Sequence, residues 1–365
     1  MTTSIAEKVL DLAIRIQQIP APTFDEGQRG MFVRDLFNGE VLKDVSTDET
    51  GNVYGRLPGK DENAKALIVS AHLDTVFPAS TNLEVRHEPD RVYGPGIGDN
   101  SLGVASLFGI IWSLREKNIQ LKHDVWFVAN VGEEGLGDLN GMRAVVDRFG
   151  DDVIGYLVLE GLALGHIYHR AIGVKRYRIT ARTKGGHSWS DYGQPSAVHE
   201  LASLVTELTS IKLQRKPRTT MNVGTIHGGT GVNVLAAEAK CDLDLRSEDP
   251  QALEKLVQKV EGILIHASRD GVTIEAEVIG ERPAGEIPAD HDMVKLALVC
   301  CKEAGTKAVL TAGSTDANIP LSRNIPAVVM GISTGGSAHT TDEFVTVSPI
   351  QMGMESIVRF VELVG

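Results

Sequence analysis

The chain is poor in three things that would otherwise direct its reading: cysteine, basic charge and unbroken apolar runs. Its cysteines are Cys241, Cys300 and Cys301 among 365 residues. Neighbouring cysteines rarely bridge with each other and one is left over, which excludes a disulfide framework and fits a reducing compartment. The net charge is −12 with a pI near 5.4. Nucleic acid and anionic membranes both demand a basic surface, so neither is expected as a partner. Part of the acid excess is available to hold cations. The stretch MTTSIAEKVLDLAIRIQQIPAPTFDEGQ carries a charge every few residues where a signal peptide has an apolar core. No later run reads as a membrane span, and a cytoplasmic location is expected. There is no internal repeat and no low-complexity linker.

What is present is an alternation of strand and helix. With 42% hydrophobic and 23% charged residues, the length admits one large domain and a smaller one. Apolar residues recur at helical spacing over 5–16, and a second helix is expected over 26–37. Buried-strand patterns follow at 66–72, 123–131 and 156–160, with helices at 101–115 and 141–149 between them. This order predicts an α/β fold with a largely parallel sheet. From Gly173 the pattern changes to strand, helix, strand, strand, helix, strand, as in a small open sheet with helices on one face. After Pro283 the α/β pattern resumes and closes on a helix at 348–363. The expected division is residues 1–170 with 284–365 as the catalytic domain, and residues 171–283 inserted as an α+β, ferredoxin-like second domain.

The chemistry collects where predicted strands end. In SAHLDT, His72 and Asp74 stand two apart after an apolar strand, so their side chains emerge on one face, and a carboxylate beside an imidazole is a common arrangement behind a metal ligand. GPGIGDN delivers Asp99 behind three glycines, whose backbone freedom brings a carboxylate into a tight site. VANVGEEGLGD halts an apolar strand and presents Glu133 beside Glu134, so that one acid can face a metal and the other the water it polarises. Glu160 closes the strand YLVLE, at the edge of an α/β sheet where ligands bind. His339 follows another apolar strand in a loop rich in Gly, Ser and Thr. Taken singly, each of these has a plain alternative: a surface pair, a turn, a helix cap. Together, two imidazoles and four carboxylates suit two divalent ions. Three ligating carboxylates against two dications leave about +1, which one hydroxide cancels. Glu133 then remains to move a proton.

These residues, in this order and spacing, resemble the co-catalytic zinc peptidase and deacylase family that includes glutamate carboxypeptidase, aminoacylase, succinyl-diaminopimelate desuccinylase and peptidase T. The resemblance covers nearly the whole chain. It implies a zinc-exopeptidase-like catalytic domain with a dimerisation (lid) domain inserted, and two divalent metal ions, zinc or alternatively cobalt or manganese. It implies His72 and Glu160 on one ion, Glu134 and His339 on the other, Asp99 bridging with a cis peptide after it, Glu133 as general base and Asp74 supporting His72. In the inserted segment it implies His187 of KGGHSW as the group that stabilises the developing oxyanion. Asn233 and Arg246 are implied as substrate contacts, the arginine to a carboxylate. Ser314 and Thr315 are expected to line the pocket, with His227. The expected partners are a small peptide or N-acyl amino acid and a second copy of the chain, joined through residues 171–283.

Two departures from the family pattern bear on substrate. NVLAAEA lacks the proline that often follows the apolar pair after the asparagine, and SWSDYGQP is longer than usual around Trp189 and Tyr192. Glu160 is typical of carboxypeptidases and deacylases, whereas GEEGLGDLNGMRA looks like peptidase T. The expected reaction is hydrolysis of an amide bond in a small peptide or N-acylated amino acid. Alternatives are a peptidase T-like aminopeptidase, a hydrolase of an N-carbamoyl group, and a metal-binding scaffold without catalysis, which would have no use for Glu133.

Overall fold

A computed structural model describes residues 4–365 and divides the chain into two compact units, Ile172–Gly285 and the segments on either side of it.

The larger unit is built on a nine-stranded sheet. Its centre is four parallel strands in the spatial order Val125–Asn130, Ala66–His72, Val153–Glu160 and Ala327–Gly331. Parallel strands covered on both faces read as continuous apolar runs, and ALIVSAH, VIGYLVLE and AVVMG are buried almost throughout. Because the four strands run the same way, His72, Asn130, Glu160 and Gly331 all lie at one edge, the crevice where such sheets bind ligands.

Helices Ile5–Gln17, Gly103–Glu116 and Ile350–Leu363 pack with one another beside this sheet. The first begins in a capping box, with Glu7 N–H donating to the Ser4 hydroxyl and Ser4 N–H to the Glu7 carboxylate. The stretch Ile97–Glu116 is long and apolar enough to cross a membrane by composition, but 89% of its most apolar window is buried inside the protein, as in a core helix.

The elements that the sequence pattern misses are marginal ones. Lys43–Thr47 and Val53–Leu57 extend the sheet antiparallel at one side, and His166–Ala171 at the other. A separate small sheet joins Arg86–Glu88, Arg91–Tyr93, Gly335–Gly336 and Phe344–Thr346. Strands of two or three residues are too short to show a period.

The smaller unit carries strands Gly173–Arg182, Thr219–Gly228, Glu238–Ser247 and Thr273–Arg282, all antiparallel, with Glu238–Ser247 and Gly173–Arg182 central. Helices Ala197–Thr209 and Pro250–Ala267 cover one face. There Tyr177, Ile179, Cys241, Leu243 and Leu245 form a core with Leu201, Leu204, Leu256 and Val260. Alternate residues of the same strands, Arg176, Arg178, Asp242, Asp244 and Arg246, form ion pairs on the other face. The period-two alternation in the sequence is this division of faces.

Candidate metal centre

The crevice gathers side chains from the ends of the parallel strands and from the loops that follow them. His72 ends its own strand and is buried; its Nδ1 lies 3.1 Å from the Asp74 carbonyl oxygen and 3.5 Å from an Asp74 carboxylate oxygen. Both neighbours are acceptors, so the proton of the neutral ring sits on Nδ1 and the Nε2 lone pair faces the crevice.

Asp74 is fully buried. Its carboxylate accepts from Glu133 N–H at 2.9 Å, Glu134 N–H at 2.8 Å and the Thr23 hydroxyl at 2.9 Å. One acid thus fixes the orientation of His72 and the start of the acidic loop together. Burial opposes charge on Asp74, but the His72 contact and these N–H donors hold its pKa below the ordinary value.

Asp99 lies between two imidazoles. Its Oδ1 is 3.1 Å from His72 Nε2 and its Oδ2 is 3.1 Å from His339 Nε2. The Asp99–Asn100 peptide is cis. The buried Asn100 amide donates to Leu159 O at 2.8 Å and accepts from Gly161 N–H at 3.0 Å, bracketing Glu160 between them. That approach requires glycine at 161, where a Cβ would stand 2.0 Å from the Gly98 carbonyl oxygen.

Glu160 Oε2 is 4.0 Å from His72 Nε2, and Glu134 Oε1 is 3.2 Å from His339 Nε2. Ligand atoms held about 2.0–2.2 Å from one tetrahedral zinc ion lie roughly 3.3 Å from each other. The four separations are of that order, and they define two donor sets, His72 with Glu160 and His339 with Glu134, sharing Asp99. His72, Asp99 and Glu134 also offer ligand atoms within 4.8 Å of one another. Glu134 is therefore within reach of both sets, and it approaches His339 to 3.2 Å.

The titration behaviour points the same way. Burial disfavours charge on His72, but the Asp74 and Asp99 hydrogen bonds outweigh it and hold its pKa well above the ordinary value. Asp99 and Glu134 raise His339 to about 10. Burial, with Asp99, Asp316 and Glu134 nearby, pushes Glu160 up to about 8 despite His72. Pairs of imidazole and carboxylate that compete for protons are pairs between which a divalent ion takes the proton's place. The residues fit two such ions.

Glu133 is 5% exposed and its backbone is anchored on Asp74. Ser314 and Thr315 follow the strand Val309–Gly313. Thr315 is nearly buried, and its hydroxyl accepts from Ala317 N–H. The next residue, Asp316, is fully buried and accepts from Asn130 at 2.7 Å, tying this segment to the strand that leads into Glu133.

In the smaller unit His187 is exposed, and its Nδ1 accepts from Trp189 N–H at 3.1 Å. Its neutral ring therefore carries the proton on Nε2, as a donor. The Asn233 carbonyl accepts from Ser188 N–H at 3.0 Å, and Val234 pairs with His187. Arg246 is not beside them. It pairs with Asp244 at 2.7 Å, at the far end of a ladder running from Arg246–Val174 to Glu238–Arg182. Eight residue steps at about 3.3 Å make that ladder roughly 26 Å long. His227 is exposed on the edge strand Thr219–Gly228.

Two residues of the centre escape sequence reading. Glu343 is fully buried, with its carboxylate on the backbone of the loop that carries Asp99. Glu26, also buried, accepts from Phe24 and Gly132 N–H and joins the turn at 22–25 to the acidic loop. DEF and FDEG have the composition of solvated turns, so neither acid carries a local signal.

A mixed α/β fold with two His/carboxylate sets at the carboxyl edge of its parallel strands defines a co-catalytic metallohydrolase architecture. Residues 68–363 match the model of peptidase family M20/M25/M40, and the chain belongs to that family and is a hydrolase of its kind. It is 25% identical over 341 residues to the succinyl-diaminopimelate desuccinylase of Corynebacterium glutamicum, covering 91% of this chain and 90% of the relative. Among solved structures it is similar to a tripeptidase from Staphylococcus aureus (TM-score 0.84, 22% identity) and to aminopeptidase PepT from Bacillus cereus (TM-score 0.80, 23% identity), each over 98% of both chains.

Proposed function

We propose that the chain is an exopeptidase or deacylase that hydrolyses an amide bond in a small peptide or N-acylated amino acid. The observation that carries this reading is the position of Asp99, one carboxylate oxygen toward His72 and the other toward His339, with Glu133 on the adjoining loop. His72, Glu160 and Asp99 would hold one divalent ion and His339, Glu134 and Asp99 the other; two ions bound there would polarise both a water molecule and the scissile carbonyl.

Glu133 takes the proton from the attacking water on its carboxylate and returns it to the leaving nitrogen. Asp74 keeps His72 in the tautomer that leaves Nε2 unprotonated. His187 donates Nε2–H to the carbonyl oxygen as it gains charge. Asn233 contacts the substrate beside His187, and Arg246 binds its carboxylate through the planar guanidinium. Arg246 stands near one end of a ladder that runs roughly 26 Å to Glu238–Arg182, and His187 lies past the other end, paired with Val234. Their separation along the sheet favours contributions from two copies to one small substrate, which supports a dimer formed through residues 171–283. The 4-1-3-2 strand order of that unit supports the ferredoxin-like reading.

The desuccinylase relative is named for removal of an acyl group, and the tripeptidase and aminopeptidase PepT structures for action on peptides. Hydrolysis of an N-acetyl dipeptide acid and of a tripeptide amide by the zinc-loaded protein separates them. Cleavage of the first alone places Arg246 on a carboxylate. Cleavage of the second alone makes the chain an aminopeptidase, and silence on both sinks the peptide reading in favour of a group such as N-carbamoyl.

A further inference from the structure

We propose that Glu343 is a positioning residue that holds the two halves of the metal centre in register, its carboxylate filling a cradle of three backbone N–H groups on the Asp99 loop. The inference rests on the two-ion reading above.

The geometry is specific. Glu343 Oε1 accepts from Gly98 N–H at 2.8 Å and Asp99 N–H at 2.9 Å, Oε2 accepts from Gly96 N–H at 3.2 Å, and the Glu343 carbonyl accepts from Gly94 N–H at 2.9 Å. Gly96 is in the left-handed region at φ 70°, which turns neighbouring N–H groups toward one point. Such a nest ordinarily receives an anion from outside. Here the anion is the chain's own, four residues beyond His339.

Glu343 is also fixed from its own side. Its N–H donates to the Thr340 carbonyl, Thr340 N–H donates to Ser337, and Phe344, Val345 and Thr346 pair with Tyr93, Val92 and Arg91. One buried carboxylate therefore joins the loop carrying Asp99 to the loop carrying His339. Asn100 holds the other side of Asp99 against Leu159 and Gly161. Asp99 serves both donor sets, so an error in its height is felt by both ions.

Glutamate is not the residue that packing alone would select, because a buried carboxylate is unfavourable unless its oxygens are satisfied. Glutamine has nearly the same shape, but its NH2 would face at least one N–H donor. Alanine leaves all three donors empty.

The test measures dissociation constants for Zn2+ by chelator competition, bound metal by elemental analysis, and amide exchange at Gly98 and Asp99 in the metal-free protein. E343Q should bind about tenfold more weakly and E343A about a hundredfold more weakly, the range seen when partners behind metal ligands are removed. In both variants the Gly98 and Asp99 amides should exchange faster, while strand 66–72 is unchanged. Millimolar formate should restore part of the affinity of E343G by refilling the cradle, which a merely structural role would not allow. Folded E343A with parental affinity and parental exchange overturns the proposal. Should E343A not fold, E343Q with parental affinity overturns it equally. A parent that binds fewer than two ions defeats the two-ion reading instead, and exchange at Gly98 and Asp99 in E343Q still decides the cradle.

Discussion

In the larger unit Asp74, Glu133, Glu134 and Glu343 lie almost wholly out of solvent, whereas in the smaller unit Arg176, Arg178, Asp242, Asp244 and Arg246 pair along a partly exposed sheet face. The first group is expensive to bury and tolerable only with dedicated donors, which Asp74 finds in two backbone N–H groups and Glu343 in three. The second group is screened by water, and its pairs are replaceable. Similar side chains therefore carry very different weight in the two units. The sharpest way to break this comparison is Glu133→Gln, which keeps shape and metal ligands but removes the proton acceptor. Turnover should fall by about 10²–10⁴-fold with bound metal unchanged, read by steady-state kinetics beside elemental analysis. A variant as fast as the parent would remove Glu133 from the mechanism.

Asp74→Ala should show the next largest effect. It leaves the Glu133 and Glu134 N–H groups without their acceptor, at about 1–3 kcal/mol for each buried donor. It also removes the carboxylate behind His72, leaving the ring only the backbone carbonyl of residue 74, so metal affinity should drop about 10–100-fold. Denaturant unfolding of the metal-free protein and chelator competition separate the two losses. Unchanged values in both would mean that the acid is idle.

How far the sequence foretells this arrangement follows from the period of each element. The strands ending at His72 and Glu160 are long apolar runs closed by a polar residue, and such runs are legible because both faces are buried. The smaller unit is equally legible, since Glu238–Ser247 alternates strictly between core and open face. Illegible are the contacts made across the chain. Nothing local to Glu343 announces that it reaches Gly96, Gly98 and Asp99, some 245 residues earlier, nor that Glu26 clamps Gly132. Only the folded backbone shows which acids are buried, and burial separates working acids from solvated ones.

A buried group away from the crevice extends the comparison to pH. His123 is 3% exposed, its Nε2 has no hydrogen-bond partner, and burial lowers its pKa against the opposing pull of Asp124. It is neutral in the fold. Below about pH 6.5, the value for an unconstrained histidine, the unfolded chain binds a proton that the folded chain refuses. The stability that His123 contributes is therefore present above that pH and lost as pH falls toward its folded pKa, with a slope of at most about 1.4 kcal/mol per pH unit. His123→Gln should flatten the urea-unfolding free energy between pH 6.5 and 5 relative to the parent. Parallel profiles would show that His123 is solvated.

The smallest effect belongs to the open face. Arg176 and Asp244 approach to 2.9 Å with side chains 18% and 25% exposed, and Asp244 also takes Arg246 at 2.7 Å. Burial works against charge on Asp244, but these two guanidinium groups hold its pKa below the ordinary value. The contact is short, but water reaches both partners, and two long side chains must be ordered to make it. A double-mutant cycle between Arg176→Ala and Asp244→Ala should therefore give a coupling of no more than about 1 kcal/mol, shrinking as salt is raised. A coupling of several kcal/mol that is indifferent to salt would mean that this face is dry in solution. Dryness there requires a covering partner, such as a second copy seated on the open face of the sheet.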